Sequence, residues 1–117
     1  MVQLIDTHSH IYSERFSADT LAMMAAAKSA GVGLILMPAI DRGTHGKMLQ
    51  MELDYPGQCL SMMGLHPCSV TESYQKEMDI VEEWFTKRKF TGVGETGLDF
   101  YWDLTYREQQ YVVFRRQ

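Results

Sequence analysis

Short apolar runs alternate with amphipathic segments along this chain, and the alternation predicts its architecture. Residues 32–37 are continuously apolar, which is typical of a parallel strand covered on both faces. Further strands are predicted at residues 4–10, 59–65 and 92–99, and each precedes a segment with helical periodicity. Four such units predict an α/β fold, with parallel strands joined by right-handed crossovers.

Capping residues and apolar spacing indicate where the helices lie. Ser17 is predicted to cap the first helix, and Gly31 lies where that helix would end. The second helix is predicted from Thr44 to about Leu53, the third over residues 78–87, and the fourth from a Thr105-x-x-Glu108 capping box. The expected packing face of the first helix is Met23, Ala26, Ala27 and Ala30.

Composition narrows the function classes. The chain has 117 residues, of which 45% are hydrophobic, and this suits one modest core. A net charge of -4 gives no basic footprint, so non-specific wrapping of duplex nucleic acid is disfavoured. Cys59 and Cys68 are too few for a disulfide framework, and we expect both to be reduced. Residues 1–3 do not open a basic-then-apolar leader, and no apolar stretch approaches the roughly 20 residues of a membrane span; we therefore expect a cytoplasmic protein without a membrane partner.

A His-x-His pair ends the first predicted strand. In an extended strand Asp6, His8 and His10 share one face, so two imidazoles point into one volume. Imidazole is a common ligand for zinc and other divalent metals. Surface or hydrogen-bonded histidines are the alternative interpretation, and the pair alone is only moderate evidence for a metal.

Other polar residues follow the remaining strands. Asp41 comes after the second strand, His66 ends the third, and Glu95 and Asp99 lie at the end of the fourth. In parallel α/β folds the carboxyl ends of the strands carry the site. The two histidines and Glu95 would form a mixed nitrogen and oxygen donor set for zinc, manganese or magnesium, in which Glu95 could bridge two cations.

Three ordered motifs extend over almost the whole chain. They are residues 5–10 (IDTHSH), 64–67 (GLHP) and 92–101 (GVGETGLDFY), followed by residues 107–109 (REQ) and 114–117 (FRRQ). Together they resemble the TatD-type metal-dependent deoxyribonucleases, a branch of the amidohydrolase-like barrels.

The resemblance implies a hydrolase of DNA phosphodiester bonds that uses one or two divalent ions (Mg, Mn or Zn). It implies that His8, His10 and Glu95 bind metal, with Glu95 the candidate catalytic residue, and that His66 lines the phosphate site. Tyr101 is a candidate substrate-binding residue, since it and Trp102 could stack on bases or could simply pack.

The number and length of the units predict the first half of a TIM (β/α)8 barrel, because a complete barrel has about 250 residues. We expect residues 1–117 to form a single domain, truncated after its fourth unit. Family members take two further histidines and an aspartate from later strands, so the resemblance implies an incomplete, weakly active or inactive site. Open strand edges would favour self-association.

Several alternatives stay open at this point. One is a non-catalytic half-barrel that acts as an assembly module, and another is an amidohydrolase-type enzyme with a different substrate. Cys68 stands where the family commonly has a histidine, which puts a secondary substrate contact in doubt. His45 is expected to be solvated or to lie at a helix start, and Asp6 to orient a histidine or make a structural hydrogen bond.

Overall fold

The backbone of residues 3–117, described by a computed structural model, forms four parallel strands that pair in chain order. The strands are β1 Leu4–Asp6, β2 Val32–Pro38, β3 Cys59–Met63 and β4 Gly92–Val93. The helices are α1 Thr20–Ser29, α2 Arg42–Asp54, α3 Tyr74–Lys87 and α4 Arg107–Arg116, with short 3-10 helices at Glu14–Phe16 and Pro67–Ser69. This is the predicted α/β half-barrel. Met1 and Val2, which belong to the N-terminal segment considered above, lie outside the described residues.

The core lies behind the centre of the sheet. Ile35 and Met37 of β2 pair in register with Cys59 and Ser61 of β3, and all four are buried. The alternate β2 residues 34 and 36 are half-buried, so both faces of β2 are covered, but the face that carries Ile35 and Met37 is covered more completely. Unbranched methionine side chains fill irregular gaps well, and they supply much of the core, namely Met24, Met37, Met48, Met51, Met63 and Met78.

The first helix starts later than its sequence signal. Ser17 closes the preceding 3-10 helix and does not cap α1, whose N-cap position is Asp19. The prediction for Ser17 is therefore wrong, because a separate turn intervenes. Met24 and its neighbours Met23 and Ala27 form the packing face, whereas the predicted face residues Ala26 and Ala30 are exposed.

The starts of the three other helices also differ from prediction. Asp41 and Thr44 form a reciprocal capping box, so α2 begins at Arg42 rather than at Thr44. Thr105 does not cap α4, because its backbone N–H and hydroxyl both bond to Asp103 and the N-cap position is Tyr106. The third helix begins at Tyr74, four residues before the predicted start at Met78.

Three strands are shorter than predicted, and the segments that follow them carry the polar motifs. β1 ends at Asp6, β3 at Met63 and β4 at Val93. Beyond these points isolated backbone bonds replace the ladder: Glu95 N–H donates to Ala39 C=O at 2.9 Å, and His66 N–H donates to Ile40 C=O at 2.8 Å. The polar side chains therefore lie on irregular backbone at the carboxyl edge of the sheet.

Candidate metal centre

Three histidines surround one carboxylate at this edge. His8 Nε2 and His10 Nε2 each lie 3.1 Å from Glu95 Oε2, and His66 Nε2 lies 3.2 Å from Glu95 Oε1. His8, His10 and Glu95 each offer a ligand atom within 4.8 Å of the others. Sequence reasoning thus named all four residues that meet here, although their roles stay predictions.

The hydrogen-bond partner of His10 decides which of its ring nitrogens is free. The Tyr12 hydroxyl donates to Pro38 C=O at 2.6 Å, and its oxygen lies 3.0 Å from His10 Nδ1. Burial raises the pKa of Tyr12 to about 12, so this hydroxyl keeps its proton. The hydroxyl proton is committed to the carbonyl, hence Nδ1 of His10 must donate to the tyrosine oxygen. In the neutral ring, Nε2 then presents a lone pair.

His66 has the opposite arrangement. Its Nδ1 accepts a bond from Cys68 N–H at 3.0 Å, so the proton of the neutral ring lies on Nε2. That N–H is directed at Glu95 Oε1. The neutral His10 ring therefore presents a lone pair at Nε2, whereas the neutral His66 ring presents an N–H donor at Nε2.

The geometry between His10 and Glu95 fits a cation. A lone pair on Nε2 facing a carboxylate oxygen at 3.1 Å is repulsive unless a proton or a metal ion lies between them. Two donor atoms that each lie about 2.1 Å from one metal ion, with an angle of about 90–110° at the metal, are about 3.0–3.4 Å apart. The distances from His8 Nε2 and His10 Nε2 to Glu95 Oε2 match this separation. The donor set of two imidazoles and a carboxylate therefore fits a divalent ion.

The loop after Glu95 is ordered by Asp99. Its Oδ1 accepts Tyr101 N–H at 3.0 Å, and its Oδ2 accepts the Cys68 thiol at 3.3 Å. The Tyr101 N–H and the thiol lower the pKa of Asp99. Partial desolvation and the Asp99 carboxylate raise the pKa of Cys68, so the thiol remains a donor. Asp99 thus orders this loop and lies outside the cluster of His8, His10 and Glu95.

Other singled-out residues lie apart from this cluster. Tyr101 and Trp102 are 83% and 78% exposed and contact each other edge to face. Asp6 accepts His8 N–H at 3.1 Å, a structural bond that orients the loop. His45 is in the first turn of α2, so the second of its two expected positions holds, and its side chain is buried rather than solvated.

Sequence reasoning missed Tyr12, Gln110 and Gln117. The spacing His10-x-Tyr12 was a usable signal, because a hydroxyl two residues from a ligand can reach its second nitrogen. The contacts of the glutamines had no such signal, since their partners lie 11 and 52 residues away.

The sequence of residues 5–117 matches the family described as TatD related DNase. The chain belongs to this family. It is 29% identical over 114 residues to the uncharacterized metal-dependent hydrolase YabD of Bacillus subtilis, an alignment that covers 97% of this chain and 44% of the relative. It is 27% identical over 114 residues to the 3'-5' ssDNA/RNA exonuclease TatD of Yersinia pseudotuberculosis, again with 97% and 44% covered.

A solved structure of the same family confirms the fold. The crystal structure of YjjV, a TatD homologue from Escherichia coli, superposes with a TM-score of 0.85 at 29% identity, and covers 97% of this chain and 44% of its own. The chain thus corresponds to the first half of a TatD barrel and spans less than half the length of these relatives. Within residues 3–117, no helix combines the length and apolar character needed to cross a membrane.

Proposed function

We propose that His8, His10 and Glu95 bind one or two divalent metal ions and that this site serves the hydrolysis of phosphodiester bonds in single-stranded nucleic acid. The observation that carries the proposal is the approach of His10 Nε2 to within 3.1 Å of Glu95 Oε2, while Nδ1 of the same ring lies 3.0 Å from the Tyr12 hydroxyl. A family of metal-dependent hydrolases and nucleases supports it.

Each residue has a distinct part in this proposal. Glu95 supplies the charge that retains the cation, and it bridges the ions if two are present. His66 keeps Nε2–H available, and it can donate this proton in a hydrogen bond to a phosphate oxygen once that oxygen replaces Glu95 as its partner. A bound divalent ion would polarise the phosphoryl group and lower the pKa of a water molecule.

The exposed aromatic pair favours an unpaired strand as substrate. Tyr101 and Trp102 present ring surface to solvent on the loop that follows Glu95. Stacking on such rings contributes about 1–3 kcal/mol per base and needs bases that are not already stacked in a duplex. The net charge of -4 means that the chain offers no excess of basic residues to neutralise phosphates. Binding of the nucleic acid should therefore require the metal ion.

Metal binding and hydrolysis can be measured together. Calorimetric titration with Mn²⁺ or Zn²⁺ should show binding to the wild-type chain and a loss of at least about 100-fold in Glu95→Gln, since even the outer partners of ligands cost 10–100-fold. Glu108→Gln is the matched control, because Glu108 is an exposed glutamate on α4. Slow nucleotide release from labelled single-stranded DNA, abolished by chelator and by Glu95→Gln, is expected. Release that Glu95→Gln leaves unchanged would refute the proposal.

A second proposal concerns assembly. The edge strands expose apolar side chains, with Leu4 and Ile5 on β1 at 51% and 55% and Val93 on β4 at 42%. We propose that two copies of the chain associate through these edges. Light scattering after size exclusion should give a dimer mass that Ile5→Lys converts to a monomer. A wild-type monomer at high concentration would contradict this.

A further inference from the structure

Helix α4 directs two glutamine side chains at the backbone of the two loops that carry His66 and Glu95. Gln110 is on α4 and Gln117 directly follows it. A separation of seven residues is about two helical turns, so both side chains lie on one face of the helix.

Gln110 pairs with the backbone of Asp99. Asp99 N–H donates to Gln110 Oε1 at 2.8 Å, and Gln110 Nε2 donates to Asp99 C=O at 2.9 Å. The Gln110 side chain is almost fully buried at 4% exposure. Asp99 in turn bonds to Cys68 and to Tyr101 N–H, so one amide orders the loop that follows Glu95.

Gln117 makes the same pair of bonds with Leu65, the residue before His66. Leu65 N–H donates to Gln117 Oε1 at 2.9 Å, and Gln117 Nε2 donates to Leu65 C=O at 3.2 Å. Leu65 itself is fully buried. The backbone on which His66 depends is therefore held from outside the sheet.

The close approach at Gly64 links the two loops. A Cβ at residue 64 would lie 2.7 Å from Gln117 Oε1 and 2.8 Å from both the carbonyl carbon and oxygen of Gly94. Gly94 directly precedes Glu95, and Gly64 is two residues before His66. The missing side chain thus lets Gln117, the His66 loop and the Glu95 loop meet.

We propose that Gln110 and Gln117 are positioning residues that hold the His66 and Glu95–Tyr101 loops in the arrangement that metal and substrate require; this rests on the function proposed above. The physical reason is the length of β4, which is only two residues. The hydrogen-bond ladder between β3 and β4 therefore ends before either loop begins. The primary amide of a glutamine can donate and accept a hydrogen bond at the same time, so it can replace the backbone of a neighbouring strand.

Imidazole spectra of the metal-free chain provide the test. Long-range proton–nitrogen correlation spectra distinguish the two neutral tautomers, and wild-type His66 should show the Nε2–H form. Gln117→Met keeps side-chain length and helix preference but removes both bonds, so we expect a mixture of tautomers at His66. Gln110→Met should instead shift the Tyr101 amide resonance. Gln109→Met, the adjacent glutamine on the same helix, is the control and should change neither signal.

Metal affinity is the second readout. Gln117→Met and Gln110→Met should each bind Zn²⁺ about tenfold more weakly than the control Gln109→Met. A tenfold loss is the lower end of the range for residues that act through the ligands. Gln117→Glu retains the acceptor and loses only the donor, so its His66 spectrum should lie between those of the wild type and Gln117→Met.

The outcomes separate this proposal from the proposed function. A folded Gln117→Met with a wild-type His66 spectrum would overturn the positioning role. Failure of both Gln117 variants to fold would also overturn it, because the residue would then serve general stability. A wild-type chain that binds no Mn²⁺ or Zn²⁺ would instead refute the proposed function, whatever the spectra show.

Discussion

The centre of the sheet and its β4 edge differ in how their backbone and side chains are held in place. Strands β2 and β3 pair over four residues, and their shared face is buried. Strands β3 and β4 pair over only two residues, and Val93 is 42% exposed. In the centre the ladder positions the side chains. At the edge, the side chains of Gln110 on α4 and of Gln117 just after it bond to the backbone. The candidate metal centre joins both regions, because His10 depends on the β2 end through Tyr12 whereas Glu95 belongs to the edge.

The largest expected contrast is in stability. Met37→Ala removes a fully buried central side chain and should lower the free energy of unfolding by about 2–5 kcal/mol. Val93→Ala at the edge should cost less than about 1 kcal/mol, because much of its side chain is already in water. Urea denaturation measures both values. Equal losses would show that the edge is packed as tightly as the centre.

Gly64 tests the contact between the two regions. Gly64→Ala places a Cβ within 2.8 Å of Gly94 and should cost about 1–3 kcal/mol, with a further loss of metal affinity as the Glu95 loop shifts. Gly46→Ala is the matched control: nothing lies within 4 Å of its Cβ, and it is inside α2, so it should stabilise by about 0.5–1 kcal/mol. If Gly64→Ala and Gly46→Ala changed the free energy of unfolding by the same sign and size, the close approach at Gly64 would be contradicted.

Tyr12 tests the central side of the site. Tyr12→Phe leaves Pro38 C=O and His10 Nδ1–H without their partner, which should cost about 1–3 kcal/mol of stability and 10–100-fold in Zn²⁺ affinity. Calorimetry and denaturation separate the two effects. Tyr111→Phe serves as control, since Tyr111 lies on α4 away from the ligands. Unchanged Zn²⁺ affinity in Tyr12→Phe would show that metal binding does not depend on the bond between Tyr12 and His10.

The smallest expected effect concerns pH and His45, which is buried behind the centre of the sheet. Neither ring nitrogen makes a hydrogen bond of good geometry, and burial lowers the pKa of His45, partly offset by the Gly64 backbone, Glu77 and Asp41. Because the pKa of His45 in the folded state lies below the ordinary 6.5, His45 in the unfolded chain takes up its proton at a higher pH than in the folded chain. Stability contributed by neutral His45 is therefore complete above pH 6.5 and declines as the pH falls below it.

The measurement is the free energy of unfolding on both sides of that value. His45→Leu should lose less stability on acidification than the wild type, whereas His8→Ala, a change at an exposed histidine, should leave the contribution of His45 in place. If the free energy of unfolding falls equally with decreasing pH in the wild type and in His45→Leu, the pKa of His45 does not change on folding.

Predictions succeeded where residue type and order along the chain carry the information. The alternation of strands and helices identified the half-barrel, and the positions of His8, His10 and Glu95 at strand ends predicted that these side chains would meet, although their role as metal ligands stays a prediction. The helix starts predicted at Ser17 and Thr105 were wrong, because Ser17 closes a separate 3-10 helix and Thr105 bonds to Asp103. Residue spacing does not reveal such competing local contacts.

Residue identity therefore predicted the architecture and the family, and it named the candidate donor atoms. The three-dimensional packing assigned their states: which nitrogen of His10 and of His66 carries the proton, where the strands stop, and which helix holds the loops. Those outcomes depend on hydrogen bonds between groups far apart in the chain, such as Tyr12 with Pro38 or Gln117 with Leu65. A bond of this kind needs an approach of about 3 Å, and only the folded chain provides it.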